Sequence, residues 1–380
     1  MRVLQIIDSL KWGGAQKMQI FLAESLVPLG IQVGVLGLCG AEGSDVPTQL
    51  IEKGAEVHVI DFPRLFSPAA FMRLERFIRR GRYDLIHAHL SNANILGVLG
   101  GQIAGVPVIA SLRSSGLDMR YQHKRRVWVE NTVVRYGAAR VMANGWEVGR
   151  FAKERYAPRE VDIIPNAIDL IPICKDNECF QTRIEMVGAP DRPTLLSVGR
   201  LTHIKGFGYL LEAFAEVHRS HPSAALAIAG QGKLHNALTT KIDELGLKGH
   251  VFLLGLRNDV YRLLAACDLY INSSTMEGLP VSVLEAMAAG LPVIATSVGD
   301  TSHVVTPETG IVVEPAKPEQ LAAAMQELLD NPDKRSQMGR AAQERIASEF
   351  SRANWVRQLL QLYARVTPAA APFLASVSKG

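Results

Sequence analysis

The feature that most constrains this chain is an alternation of short apolar runs with helical segments, and it occurs twice. In the first half the runs at 3–7, 33–38, 57–60, 85–89, 108–111, 140–143 and 161–164 read as strands. A helical pattern runs to Leu26 after the first of them, and a Gly-rich one covers 92–104 after the fourth. A second series begins at 194–198. It continues with strands at 225–229, 251–254, 269–272 and 292–296, separated by helices over 209–220, 236–245, 260–266 and 280–289. Strands separated by helices imply parallel βαβ units. The expected fold class is α/β, with two doubly wound domains in tandem and ligands bound outside the carboxyl ends of the strands. The length agrees: 380 residues exceed the roughly 250–300 that one hydrophobic core serves.

The boundaries follow from where the alternation lapses. Residues 1–170 form the N-terminal domain and 171–192 a linker with one short helix. Residues 193–350 form the second domain, and 351–366 a helix returning toward the first. From 318 to about 366 the pattern is helical, with Trp355, Leu359, Leu360 and Tyr363 spaced as a packing face. The Ala/Pro/Ser-rich residues 367–380 read as a disordered tail.

Composition excludes several classes. The first residues are no signal peptide, because Asp8 and Lys11 interrupt a short apolar stretch. No window has the ~18 apolar residues of a membrane span. The chain is therefore expected to stay in the cytoplasm. A net charge of +4 gives no argument for nucleic acid. Cys39, Cys174, Cys179 and Cys267 fit neither a disulfide framework nor a zinc site. They read as free thiols.

Gly13-Gly14 follows the first strand, where glycines let backbone N–H groups approach an anion at a helix start. The pair is neither G-x-G-x-x-G nor a Walker A sequence, which disfavours NAD and ATP sites, and a plain tight turn reads equally well. The second domain is more specific. Gly199-Arg200 closes a strand and Lys205 follows, so two cations serve one crevice, a natural match for a diphosphate. Downstream, Glu277 precedes a helix that begins near Pro280 and stops at Gly290, and Glu285 lies inside it. Free N–H groups from Gly278 onward can bind an anion. One carboxylate outside that anion site can take sugar hydroxyls, and the other both hydroxyls of a ribose. A charge in so apolar a helix is costly without such a purpose.

These residues resemble a known family. The Glu-x7-Glu element of Glu277 and Glu285, with Gly199-Arg200 and Lys205, is similar to the retaining glycosyltransferases of family 4, which have the GT-B fold of two Rossmann-like domains facing across a cleft. The stretches 84–89 (DLIHAH) and 164–169 (IPNAID) match as well. The resemblance implies a nucleotide-diphosphate sugar donor, such as a UDP-sugar, and no cofactor; no Asp-x-Asp pair is present to hold a divalent metal, so none is expected. It implies that Gly14 approaches the donor phosphates and that Arg200 and Lys205 bind the diphosphate. Glu277 then holds the sugar, Glu285 the ribose, and His89 lies beside the transferred sugar. Gly230, Gly232 and Arg257 come near the nucleobase, and Leu279 contributes beside Gly278. Asp300 and His303 depart from the family pattern, in which a second Gly and a Glu are usual.

The N-terminal domain is expected to bind the acceptor, a glycan or a lipid-linked one, with Arg113 at a strand end near an acceptor phosphate. Residues 71–82 interleave Phe71, Leu74, Phe77 and Ile78 with Arg73, Arg76, Arg79, Arg80 and Arg82. Residues 112–126 add Arg120, His123, Lys124, Arg125 and Arg126. Reversible contact with an anionic membrane and an ordinary solvated face are both open readings. Two other functions fit less well: a GT-B sugar-nucleotide epimerase, and a silent nucleotide-sugar-binding partner. Retention of Arg200, Lys205, Glu277 and Glu285 disfavours both.

Overall fold

Strands buried on both faces need apolar runs rather than alternation, and the runs identified above are the strands of two parallel sheets. The structure is a computed structural model that describes residues 1–11, 13–65, 67–113, 124–171 and 176–377. It divides into two compact units, Met1–Pro165 with Arg352–Gly380, and Asn166–Ser351.

The first unit runs β1 (Arg2–Ile7), α1 (Gly14–Leu26), β2 (Gln32–Gly37), α2 (Val46–Glu52), β3 (Glu56–Val59), α3 (Pro68–Gly81), β4 (Leu85–His89) and α4 (Ser91–Ala104). It continues with β5 (Val108–Leu112), α5 (Lys124–Gly137), β6 (Arg140–Ala143), α6 (Trp146–Tyr156) and β7 (Val161–Ile163). Its seven-stranded sheet has the order β3-β2-β1-β4-β5-β6-β7. The order reverses between β1 and β4, where Gln5 pairs with His87 and Ile7 with His89.

The second unit runs α7 (Asp176–Val187), β8 (Thr194–Val198), α8 (Phe207–Ser220), β9 (Ala225–Ala229), α9 (His235–Glu244), β10 (Val251–Gly255), α10 (Val260–Ala265) and β11 (Leu269–Asn272). Then come α11 (Val281–Ala288), β12 (Val293–Thr296), α12 (Thr301–Val304), β13 (Gly310–Val313), α13 (Pro318–Asp330) and α14 (Pro332–Glu349). Its six strands are ordered β10-β9-β8-β11-β12-β13, reversing between β8 and β11. Leu195, Phe214, Leu226, Ile228, Leu269 and Ile271 are among the side chains of its closed core.

Two expectations change, the linker and the tail. The segment read as a linker is part of the second unit: Arg183 of α7 donates to the Ala266 carbonyl and pairs with Asp268 at 2.8 Å. Ile168 and Ile171 donate to Phe350 and Ala288. Between them, the stretch from 318 holds three helices, with breaks at Asn331-Pro332 and Ser351, and the separate helix over 351–366 is α15 (Arg352–Val366), which groups with the first unit. There Trp355 meets Phe21 edge-on, at 5.3 Å between centroids, and Arg352 pairs with Glu24. The tail read as disordered is ordered through α16 (Ala371–Val377), with Ala370 fully buried just before it. Alanine is the best helix former, which offsets the Pro and Ser that suggested disorder.

The basic helix α3 also differs from one of its readings. Leu74 and Ile78 are fully buried, and Phe71 and Phe77 pack on the same core. The apolar stripe is thus spent inside the protein and is not available to enter a bilayer. Arg73, Arg76, Arg79, Arg80 and Arg82 remain exposed. Arg120, His123 and Cys174 lie outside the described residues, as does the Lys124 side chain. Among the described residues, no helix is long and apolar enough to cross a membrane.

Candidate functional site

At a reversal of strand order the flanking connections leave in opposite directions, and a crevice opens beyond the strand ends. In the second unit that place lies beyond β8 and β11. The turn after β8 is held by stacked backbone bonds: Gly199 donates to Ala229, Leu201 to Gln231 and Gly230 to Gly255. Gly230 has φ 153°, and a Cβ there would stand 1.9 Å from the Gly199 oxygen, so only glycine fits. Gly199, Arg200, Gly230 and Arg257 line one recess of about 480 Å³ together with Gln231 and Gly232. The structure therefore brings together five residues chosen from sequence, Gly199, Arg200, Gly230, Gly232 and Arg257. Arg200 is exposed and makes no side-chain hydrogen bond among the described residues. Arg257 is instead gripped by Asp259 through two bonds of 2.7 and 2.6 Å, a fork that fixes its plane.

Lys205 and Glu277 meet directly, Nζ to Oε1 at 2.5 Å, and the Ser274 hydroxyl donates to the same oxygen at 2.7 Å. Sequence reasoning gave these two side chains separate partners; the structure makes them partners of each other. Lys205 carries three N–H donors and Glu277 uses one. The two loops are clamped together. Thr275 N donates to the Ile204 carbonyl at 2.8 Å, and the Ser273 hydroxyl to that of Lys205 at 2.9 Å. Gly206 permits this approach: its φ is 63°, and a Cβ would lie 2.0 Å from the Ser273 oxygen. Ser273, Ser274 and Thr296, whose hydroxyl bonds the Ser274 carbonyl at 2.5 Å, were missed by sequence reasoning. A run of small hydroxyl residues at a strand end was the available signal.

The loop then enters α11. Pro280 is its N-cap, one residue earlier than its expected place. Gly278 has open space at its Cα, while Asp300 N donates to its carbonyl at 3.0 Å. Asp300, one of the departures from the family pattern, is fully buried and anchors this loop. Leu279 is buried below it. The first N–H groups of α11 have no intrahelical acceptor by construction. Glu285 is 7 % exposed. Burial pushes the neighbouring Tyr270 phenol upward; a hydrogen bond from Ser282 opposes this, and the charges of Glu285 and Glu277 add to it. A second recess of about 510 Å³ lies behind the Lys205 loop, lined by Thr202, Tyr209 and Lys241 among others, and takes in none of the charged residues chosen from sequence.

In the first unit, α1 begins at Gly14, and Gly13 is in extended backbone. A Cβ on Gly14 would meet nothing within 4 Å, whereas one on Gly13 would press the Gln16 amide. The start of α4 is closed by the protein's own carboxylate, since Asp8 accepts from Asn92 N and Ala93 N at 3.3 and 2.7 Å.

His89 differs from its expected role. It is fully buried, and both ring nitrogens have protein partners: Nε2 meets Gln5 Oε1 at 2.7 Å, and Nδ1 meets Arg113 Nη2 at 3.3 Å. It is held in a polar chain rather than presented to a ligand. Gln5, His87 and Tyr363 complete that chain and were read only as strand and packing positions. Among the described residues, no group of three or more His, Cys, Asp or Glu side chains is placed to hold a metal.

The model for glycosyl transferases group 1 matches residues 182–345, and that for the glycosyl transferase 4-like domain matches residues 13–167. A galactosyltransferase of Escherichia coli, UDP-Gal:alpha-D-GlcNAc-diphosphoundecaprenol alpha-1,3-galactosyltransferase, is 26% identical over 64% of this chain and 66% of its own length. The alpha-D-kanosaminyltransferase of Streptomyces kanamyceticus is 28% identical over 78% of this chain and 81% of its own. The crystal structure of Anabaena HepE in complex with UDP superposes with a TM-score of 0.84 at 22% identity, covering 96% of this chain and all of that one (100%).

The buried histidines make stability depend on pH. Burial, with the charge of Arg113 adding to it, drives His87 down to about 3. Burial, then His87 and Arg113, hold His89 well below its ordinary range. An unfolded chain protonates both near pH ~6.5, so below that pH the unfolded state binds more protons than the folded one. The unfolding free energy should therefore fall as pH drops from ~6.5 toward 3, by up to about 1.4 kcal/mol per pH unit for each histidine. Urea unfolding of wild type and His87→Gln between pH ~6.5 and ~5 checks this. The variant should show the shallower slope, and equal slopes would contradict the assignment.

Proposed function

The chain belongs to the glycosyl transferases group 1 family, with the GT-B fold and a nucleotide-sugar donor, and from that premise we propose how its residues divide the work. The donor is a nucleoside-diphosphate sugar held mainly by the second unit. The observation that carries this is the convergence of Gly199, Arg200, Gly230 and Arg257 on one recess at the β8–β11 reversal, next to the Lys205–Glu277 pair.

The nucleobase lies in the recess between Gly230 and the Asp259-fixed Arg257. Glu285 accepts the ribose hydroxyls. Arg200 and the N–H groups of Gly278 and Leu279 bind the diphosphate. Lys205 adds its two remaining donors while still holding Glu277, so the carboxylate that takes the sugar hydroxyls is oriented before the donor arrives. Both protein bonds fall on Oε1 of Glu277, which leaves Oε2 for the sugar. Gly14, with open space at its Cα, suits a close approach of backbone to the donor phosphates. Relatives named for UDP-galactose and crystallised with UDP favour uridine as the nucleoside.

As the sugar leaves, negative charge grows on the diphosphate, and Arg200, Lys205 and the α11 N-terminus offset it. The acceptor oxygen bonds to the anomeric carbon as the carbon–phosphate-oxygen bond breaks, and the acceptor proton passes to the leaving oxygen. With Glu277 engaged by Lys205 and Ser274, front-side substitution with retention fits better than a covalent intermediate. The acceptor binds the first unit, with Arg113 at the end of β5 meeting an acceptor phosphate. A diphospholipid acceptor in the name of the E. coli relative supports that class. Epimerase and silent-partner readings are not favoured.

Arg200→Ala and Lys205→Ala should each lower kcat by roughly 10²-fold, the scale of losing one charge-stabilising donor. Release of nucleoside diphosphate from UDP-sugars with the natural acceptor measures it. Near-normal turnover in both variants would remove the diphosphate assignment.

The exposed arginines of α3 support reversible attachment to anionic membrane by charge alone, since the apolar stripe is buried. Each basic residue near such a surface contributes ~1 kcal/mol. The chain should sediment with phosphatidylglycerol vesicles, less as salt rises, and not with phosphatidylcholine vesicles. Changing Arg73, Arg76, Arg80 and Arg82 to Gln should abolish it. A chain left in the supernatant with both vesicles at low salt makes these arginines a solvated face.

A further inference from the structure

Helix α5 turns two aromatic rings away from the core. Trp128 and Tyr136 are each 68 % exposed, the most of any large apolar side chain among the described residues. With Arg125 and Thr132 they recur at steps of three and four, so all four lie along one line of the helix. Glu130 and Val134, on the opposite side, are buried. The core takes that side and leaves the aromatic line outside.

The exposed face runs on across the neighbouring helices. A Cβ on Gly137 would meet Val98 and Gln102 of α4, which places the end of α5 against that helix. Ile103, next to Gln102, is half-exposed, and its carbonyl accepts from Arg79 of α3 at 2.9 Å. Helix α4 holds no charged residue. The acidic residues of α3 and α5 are Glu75 and Glu130. Glu75 pairs with Arg79, and Glu130 is buried against Arg155 at 2.9 Å. The exposed charge that remains is positive, on Arg73, Arg76, Arg80, Arg82 and Arg125.

That combination selects an occupant. In a dimer built on this face the same arginines would oppose one another across the symmetry axis. An anionic bilayer suits both components. Guanidinium groups meet lipid phosphates, while Trp and Tyr sit at headgroup level, the ring in the apolar boundary and the N–H or O–H in the polar layer. Trp128 and Tyr136 stand eight residues apart, about 12 Å along a helix. Both rings reach that layer together only when α5 lies flat on the surface.

We propose that Trp128 and Tyr136 are interfacial anchors that seat the α3–α5 face of the first unit on anionic membrane, with α5 parallel to its plane. This rests on the reading of the α3 arginines as a membrane contact and adds to it: charge brings the chain to the surface, and the rings hold it there. Two rings alone are too few for a neutral bilayer, where even one myristoyl chain binds only marginally.

The test is sedimentation of the full chain with phosphatidylglycerol vesicles over a salt series, for wild type, Arg76→Gln and the double variant Trp128→Ala with Tyr136→Ser. Unfolding curves verify that each is folded. The aromatic variant should bind about tenfold more weakly at every salt concentration, with the slope of log affinity against log salt unchanged, because it loses no charge. Arg76→Gln should flatten that slope. Brominated lipid should quench tryptophan fluorescence in wild type and less in Trp128→Phe. An aromatic variant that binds like wild type, or equal quenching in wild type and Trp128→Phe, overturns the anchors and leaves the arginines as the whole contact. A wild type that stays in the supernatant at low salt overturns the membrane reading and the anchors with it. A vesicle-free dimer that the aromatic variant abolishes, with vesicle binding unchanged, overturns the proposal in favour of a self-contact.

Discussion

Everything at the candidate site depends on one neighbour relation, β8 beside β11 in a parallel sheet. Strands in that order bring together loops that are far apart in sequence, and both loops leave from carboxyl ends. The relation is enforced by apolar pairs such as Leu195 with Leu269 and Leu196 with Tyr270, deep in a core that tolerates little rearrangement. From it follow the clamp between Ile204 and Thr275, the seat of Gly206 against Ser273, and the contact of Lys205 with Glu277. A shift of one strand would part all of these.

The Lys205–Glu277 pair shows how such a site is prepared. Both side chains are largely withdrawn from water, at 18 % and 14 % exposure, so their desolvation is costly and a lone partner would be strongly disfavoured. Together, with Ser274, they hold each other in place. On the proposed reading, a diphosphate would meet a lysine whose position no longer has to be found, and orientation achieved in advance lowers the cost of binding and of the chemical step. Arg200 is the opposite case, an exposed cation on the recess it shares with Gly199, Gly230 and Arg257.

Much of this was legible from residues. Apolar runs gave the strands because parallel strands cannot alternate. Gly199, Arg200, Gly230 and Arg257 were chosen separately and line one recess, since all follow strand ends on one side of a sheet. What was not legible depended on pairing. Lys205 and Glu277 are 72 residues apart, and nothing in either segment announces the other. The burial of His89 came from Gln5 and Arg113, reached through strand register. Tyr363 read as a packing residue, and it is one; only the presence of a hydroxyl where phenylalanine would pack hinted at a hydrogen bond. Strand β13 was missed because four residues after a Thr-Pro-rich turn give little pattern.

The most direct test of a donor site at the β8–β11 reversal is calorimetric titration of UDP into wild type and Glu285→Ala, with unfolding curves to verify that the variant is folded. The ribose assignment predicts a Kd at least about tenfold higher in the variant, a loss of about 1.4 kcal/mol. An unchanged Kd in a folded variant would contradict it and place the nucleotide elsewhere.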